Sequence, residues 1–76
     1  MNKKSRALVA EIIERLRRCH EDLEGVKDDE QEKFDNMPEG LQESERGQAI
    51  QNVADSLEEI CEDLGGVISD LEELEN

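Results

Sequence analysis

The sequence predicts an all-α protein: an antiparallel two-helix coiled-coil hairpin that assembles into a four-helix bundle or a higher helical oligomer. Three observations lead there. Two long stretches repeat apolar residues at alternating steps of three and four, the spacing of a coiled-coil seam. The only proline, Pro38, falls between them. The chain has 76 residues, 34% of them hydrophobic and 41% charged, and Phe34 is its only aromatic, too little for a conventional globular core. A chain this short needs an extra source of stability, and association supplies one.

The first helix is expected over about residues 3–35. Val9, Ile12, Leu16, Cys19, Leu23 and Val26 follow the three-four alternation, and Glu30 fills the next seam position. If Phe34 and Met37 resume the seam, a four-residue stutter precedes them and locally unwinds the supercoil. Pro38 disfavours helical geometry at Met37, so the helix stops there, and proline suits the first turn of a short new segment. The connector covers about residues 36–44. Ser44 is the expected N-cap of the second helix, about 45–75, with Glu45 near its positive end. In that helix Ile50, Val53, Leu57, Ile60, Leu64, Val67, Leu71 and Leu74 alternate by three and four without a break. Residues 1–76 thus form one hairpin, since a short connection makes two long helices antiparallel neighbours.

Pairing residues whose numbers add to 83 matches six apolar layers, from Val9 with Leu74 to Val26 with Leu57. This register lays Lys3, Lys4 and Arg6 against Glu72, Glu73 and Glu75, and it sets Cys19 beside Leu64 rather than Cys61, which disfavours an internal disulfide. Leu8, Ile13, Ala49, Ala54, Cys61 and Ile68 flank the seam and widen the stripe beyond what two helices cover. Leu8, Ile13, Cys61 and Ile68 are therefore the expected oligomer interface, with a dimer as the expected assembly. Gly25, Gly65 and Gly66 fall on the expected outer face, where each weakens helix by about 1 kcal/mol relative to alanine; the sequence offers no reason for them.

The net charge is −13, unevenly placed. Residues 1–18 carry six bases against Glu11 and Glu14, a net +4, which leaves −17 on the rest. A net acidic chain repels nucleic acid and favours basic partners. Disorder shares this composition but lacks periodic apolar spacing. No apolar run reaches the roughly 20 residues of a membrane span, and Glu11 and Glu14 interrupt any signal-peptide core, so a cytoplasmic protein with no membrane contact is expected. Reduced cysteines fit that setting, with metal binding or an intermolecular disulfide as the alternatives.

No motif carries chemistry. Cys19-His20 has the ligand types of a zinc or nucleophile site, but neighbours on a helix point about 100° apart and there is no second histidine. Asp28-Asp29-Glu30-Gln31-Glu32 lacks the turn glycine of a calcium loop. Di-iron bundles need Glu-x-x-His pairs, and Arg17 stands three residues before His20. Neither a catalytic site, a metal nor a cofactor is expected. The basic N-terminus lacks interleaved aromatics, so direct nucleic-acid binding is not expected. The connector concentrates hydrogen-bonding side chains at the closed end: Asn36, Gln42, Ser44 and Arg46 are the candidate binding residues, with Phe34, Met37 and Leu41 as apolar anchors. The other reading is that these residues plug the rod and cap its helices.

The stretch Phe34-Asp35-Asn36-Met37-Pro38-Glu39-Gly40-Leu41-Gln42, continuing through Ser44-Glu45-Arg46-Gly47, resembles the connector of small acidic bacteriophage and prophage proteins that join two Glu- and Leu-rich helices. The resemblance implies a phage or bacterial cytosol context and no mechanism; it raises the prospect of a host-directed inhibitor. Three functions follow in order: an oligomeric non-catalytic module binding a host protein or small ligand, with an anti-defence role as one form of it; an acidic mimic of nucleic acid blocking a DNA- or RNA-binding enzyme; and a structural coiled-coil scaffold.

Overall fold

The computed structural model describes residues 1–75, the side chain of Glu75 excepted, and over these the chain is all-helical. Helix α1 runs Lys3–Asp35, α2 is the short Glu39–Gln42, and α3 runs Glu45–Glu75. The long helices pack against each other as a rod of 58 × 15 × 14 Å, a hairpin with α2 at its closed end. Asn2 caps α1, its side chain accepting from the Ser5 N–H at 2.8 Å. The α1 helix ends where Asn36 and Met37 meet Pro38, whose carbonyl then starts α2 by accepting from the Leu41 and Gln42 N–H groups at 2.9 and 3.0 Å. Ser44 caps α3, its hydroxyl accepting from the Gly47 N–H at 3.2 Å and donating to the Leu41 carbonyl.

The helices face each other along a seam different from the expected one. The buried side chains are Ile13 on α1 and Ala54, Cys61 and Ile68 on α3, with Gly47 buried as well. These α3 positions recur every seven residues, and the half-buried Ile50, Leu57, Leu64 and Leu71 lie between them. On α1, Ile13 is followed at the same spacing by the half-buried His20, Lys27 and Phe34, with Val9, Leu16, Leu23 and Glu30 between. The expected seam and the observed one share Val9, Leu16, Leu23, Ile50, Leu57, Leu64 and Leu71. They differ in the other half of each repeat: Ile12, Val26, Val53, Ile60, Val67 and Leu74, expected inside, are 41–59% exposed, and Cys19 is exposed too.

Three of the four residues expected to meet a second chain are thereby corrected. Ile13, Cys61 and Ile68 hold the hairpin itself, at 2%, 5% and 7% exposure, and only Leu8 remains open. The physical reason lies in side-chain size. The Nε2 of His20 reaches the Cys61 carbonyl at 2.9 Å, and Gln31 meets Gln51, so facing residue numbers add to 81 or 82, close to the expected register. At that register Phe34 is level with Gly47, Lys27 with Ala54 and His20 with Cys61: a long or wide side chain opposite a small one. Small residues let the helices approach, while histidine and lysine bury their stems and keep their polar ends at the edge. Phe34 lies on an unbroken repeat from Ile13, so the expected stutter is not needed.

Glycines divide by the same geometry. A Cβ on Gly47 would fall under 3.0 Å from the backbone of Leu41 and Gln42, because α3 starts directly beneath the connector. Around Gly25 and Gly66 nothing lies within 4 Å, and nothing in the structure explains them. Gly47→Ala should therefore lower stability by about 1–3 kcal/mol through overpacking, whereas Gly66→Ala should raise it by about 0.5–1 kcal/mol through helix propensity. Urea titrations followed by circular dichroism at one protein concentration check both signs.

Candidate interaction faces

The α1–α3 seam splits the rod into two faces of opposite character. On one side the two helices exchange polar contacts. Arg17 reaches Glu72 at 3.1 Å, the only ion pair between α1 and α3 among the described residues. The expected pairing of Lys3, Lys4 and Arg6 with Glu72 and Glu73 is absent there; Glu75 lies outside the described side chains. Gln31 and Gln51 form a reciprocal amide pair at 3.2 and 3.1 Å, and each amide also donates to an acid one turn on, Asp35 at 3.0 Å and Asp55 at 2.8 Å. Such a closed amide pair favours this register, because a slip would break both cross-helix amide bonds at once.

His20 completes the polar side. Its Nε2 faces the Cys61 carbonyl at 2.9 Å and its Nδ1 faces a Glu24 carboxylate oxygen at 2.8 Å, so both nitrogens point at acceptors. A ring with one N–H satisfies one of them, and a ring with two satisfies both. An ideal Cβ on Gly65 would stand 3.7 Å from Nε2, an ordinary contact; glycine there leaves the imidazole against bare helix backbone. Cys19, expected inside, is exposed, and His20, expected on the flank, is half-buried. Both cysteines are free thiols, and no cluster of three or more metal-binding side chains occurs among the described residues.

The opposite side is apolar. Since Arg17–Glu72 and Gln31–Gln51 touch across one edge of the seam, the residues on the other edge of each helix share the remaining face. That face carries the half-buried Leu16, Leu23, Leu57 and Leu64, and outside them the exposed Ile12, Cys19 and Val26 of α1 and Val53, Ile60, Val67 and Leu74 of α3. Isolated exposed aliphatics need no explanation, but a continuous stripe on both helices is an unusual amount of apolar surface for so small a chain to leave in water. The three-four pattern expected to form the core combines the shared seam positions with this exposed stripe. No helix among the described residues is long and apolar enough to cross a membrane, and the stripe is one face of a rod whose other sides are charged.

At the closed end the four connector candidates separate. The Gln42 amide donates to the Phe34 carbonyl at 3.0 Å, and Ser44 is occupied as a cap. Asn36 borders a shallow cleft with Val26 and Lys33, and Arg46 borders another of about 350 Å³ with Met37, Leu41, Ser44 and Ile50. Lys33, shared by both clefts, is held above the usual lysine range by its hydrogen bond to Glu30 and the charge of that carboxylate. Phe34 and Met37 are half-buried plugs, and Leu41 is exposed.

The His20 contact is testable by itself. His20→Ala should cost about 1–2 kcal/mol, a cross-helix hydrogen bond plus some packing, while Glu24→Ala on the exposed edge should cost a few tenths. Thermal unfolding of both variants reads the difference; an unchanged His20→Ala protein would contradict the geometry. No family model, curated protein or solved structure matches the chain.

Proposed function

We propose that the protein is a non-catalytic binding module, an oligomeric helical rod that acts by engaging a host protein or small ligand. The observation that carries this reading is the open apolar face. A hairpin of this size leaves Ile12, Val26, Val53, Ile60, Val67 and Leu74 about half exposed in one stripe, which costs solubility unless something covers it. The likeness of the connector to small acidic phage proteins supports a bacterial cytosol and a host-directed, anti-defence role. The cleft beside Arg46, Met37 and Leu41 offers a small ligand a basic group and an apolar wall.

A second reading draws on α3 itself. That helix holds ten acids against one base, Arg46, so its outer side resembles the charge density of a nucleic-acid backbone and suits the basic groove of an enzyme that binds one. The two readings differ in what a complex depends on. Charge mimicry gives complexes that weaken steeply with salt and tolerate changes in the apolar stripe.

Tagged wild-type protein and an Ile60→Asp, Val67→Asp variant, purified side by side from bacterial cells, test the proposal. Both residues are half exposed, so the variant should keep its helical circular dichroism while losing at least ten-fold in affinity for whatever the wild type retains. A partner retained equally by both would overturn the role of the face, and one released by moderate salt would favour mimicry.

A further inference from the structure

The register within the hairpin also determines what fits the apolar face. With facing numbers adding to 81 or 82, Leu74, Val67, Ile60 and Val53 of α3 stand near the heights of α1 residues 8, 15, 22 and 29. The exposed α1 residues Ile12, Cys19 and Val26 fall midway between those heights. Each set therefore has its gaps where the other has its side chains.

We propose that a second copy of the chain occupies this face, related by a two-fold axis parallel to the helices, so that α1 of each copy lies against α3 of the other. The inference rests on the face being an interaction surface, as argued above, and names its occupant. A two-fold axis along the rod permits no sliding, so the register between copies equals the register within one copy. At that register Ile12, Cys19 and Val26 insert between the partner's Leu74, Val67, Ile60 and Val53 as knobs into holes, and Leu8 meets the partner's Leu74. All four helices then run antiparallel to their neighbours, with both connectors at one end.

Charge selects the same arrangement. Helix α3 has a net charge of −9, while α1 carries eight bases and ten acids. The alternative two-fold, across the rod, would set α3 against α3 and α1 against α1, opposing the two most acidic surfaces. In the proposed arrangement Arg15, which has no ion pair among the described residues, stands on the rim between the heights of the partner's Asp63 and the partner's Asp70. Asp22 is the exception, lying near the partner's Asp63. Area is of the right order: from Ile50 to Leu74 the stripe runs about 36 Å at 1.5 Å per residue. Across a rod 15 Å wide that is a projected area of about 540 Å², two-thirds of the roughly 800 Å² per partner of a standard specific interface before the relief of the side chains adds to it.

The test combines solution mass with disulfide trapping. Light scattering of the native chain should give twice the chain mass, retained at high salt, and Ile60→Asp should halve it without loss of helicity. Under mild oxidation the native dimer should form no Cys19–Cys19 link. Single Ile60→Cys, Asp63→Cys and Val67→Cys variants should include at least one that links to Cys19 of the other copy, identified by peptide mass. A disulfide needs Cα atoms within about 7 Å. A monomer at all concentrations would overturn the inference while leaving open the capture of a different partner by the face. A native Cys19–Cys19 link, or a dimer in which none of the three variants joins to Cys19, would overturn the arrangement.

Discussion

The structure depends on close approach of α1 and α3 along a line of small residues. Gly47, Ala54 and Cys61 present almost no side chain to the seam, and Phe34, Lys27 and His20 fill the space opposite them. This fit sets which edge of each helix is used up inside the hairpin. It also makes the polar edge possible, because a histidine or lysine with its stem between the helices delivers its nitrogen to one side only. The Gln31–Gln51 pair and the Arg17–Glu72 bridge lie on that side and hold the register. Everything apolar and large that the small residues displaced, Val53, Ile60, Val67 and Leu74 above all, is left on the other side.

Much of this was legible in the sequence. The two long helices, the break at Pro38, the cap at Ser44 and a register within two residues all follow from spacing and turn chemistry. The choice of seam did not. Two interleaved three-four patterns share Val9, Leu16, Leu23, Ile50, Leu57, Leu64 and Leu71, and a reading that ranks positions by hydrophobicity takes the one ending in valine, isoleucine and leucine over the one containing histidine and lysine. The competing signal was present in the repeat of small residues at 47, 54 and 61, which marks where backbones come close. The same choice decides between Cys19 and His20: the repeat of small residues takes His20 into the seam and leaves Cys19 exposed. Ile13, Cys61 and Ile68 are consumed inside the hairpin.

The functional candidates sort along the same division. Gln42 and Ser44 satisfy carbonyl and amide groups freed by two helix ends in close succession, so both have a structural duty in the connector. Asn36 and Arg46 have no such duty and remain at the rims of the closed-end clefts. An apolar face that joins copies and a closed end that stays free would let one small chain assemble and bind at different places. Acid-rich outer surfaces would then keep the assembly soluble and repel nucleic acid.

The central claim is the choice of seam, and the two native cysteines report on it directly. Cys61 is 5% exposed in the hairpin core, and Cys19 lies on the open face. The measurement is the rate at which each thiol reacts with a small alkylating reagent in the native chain, kept dilute enough to be monomeric and followed residue by residue. Cys19 should label rapidly, and Cys61 only as fast as the hairpin opens. Equal rates, or a Cys61 that reacts first, would contradict the claim and return the core to the seam through Cys19.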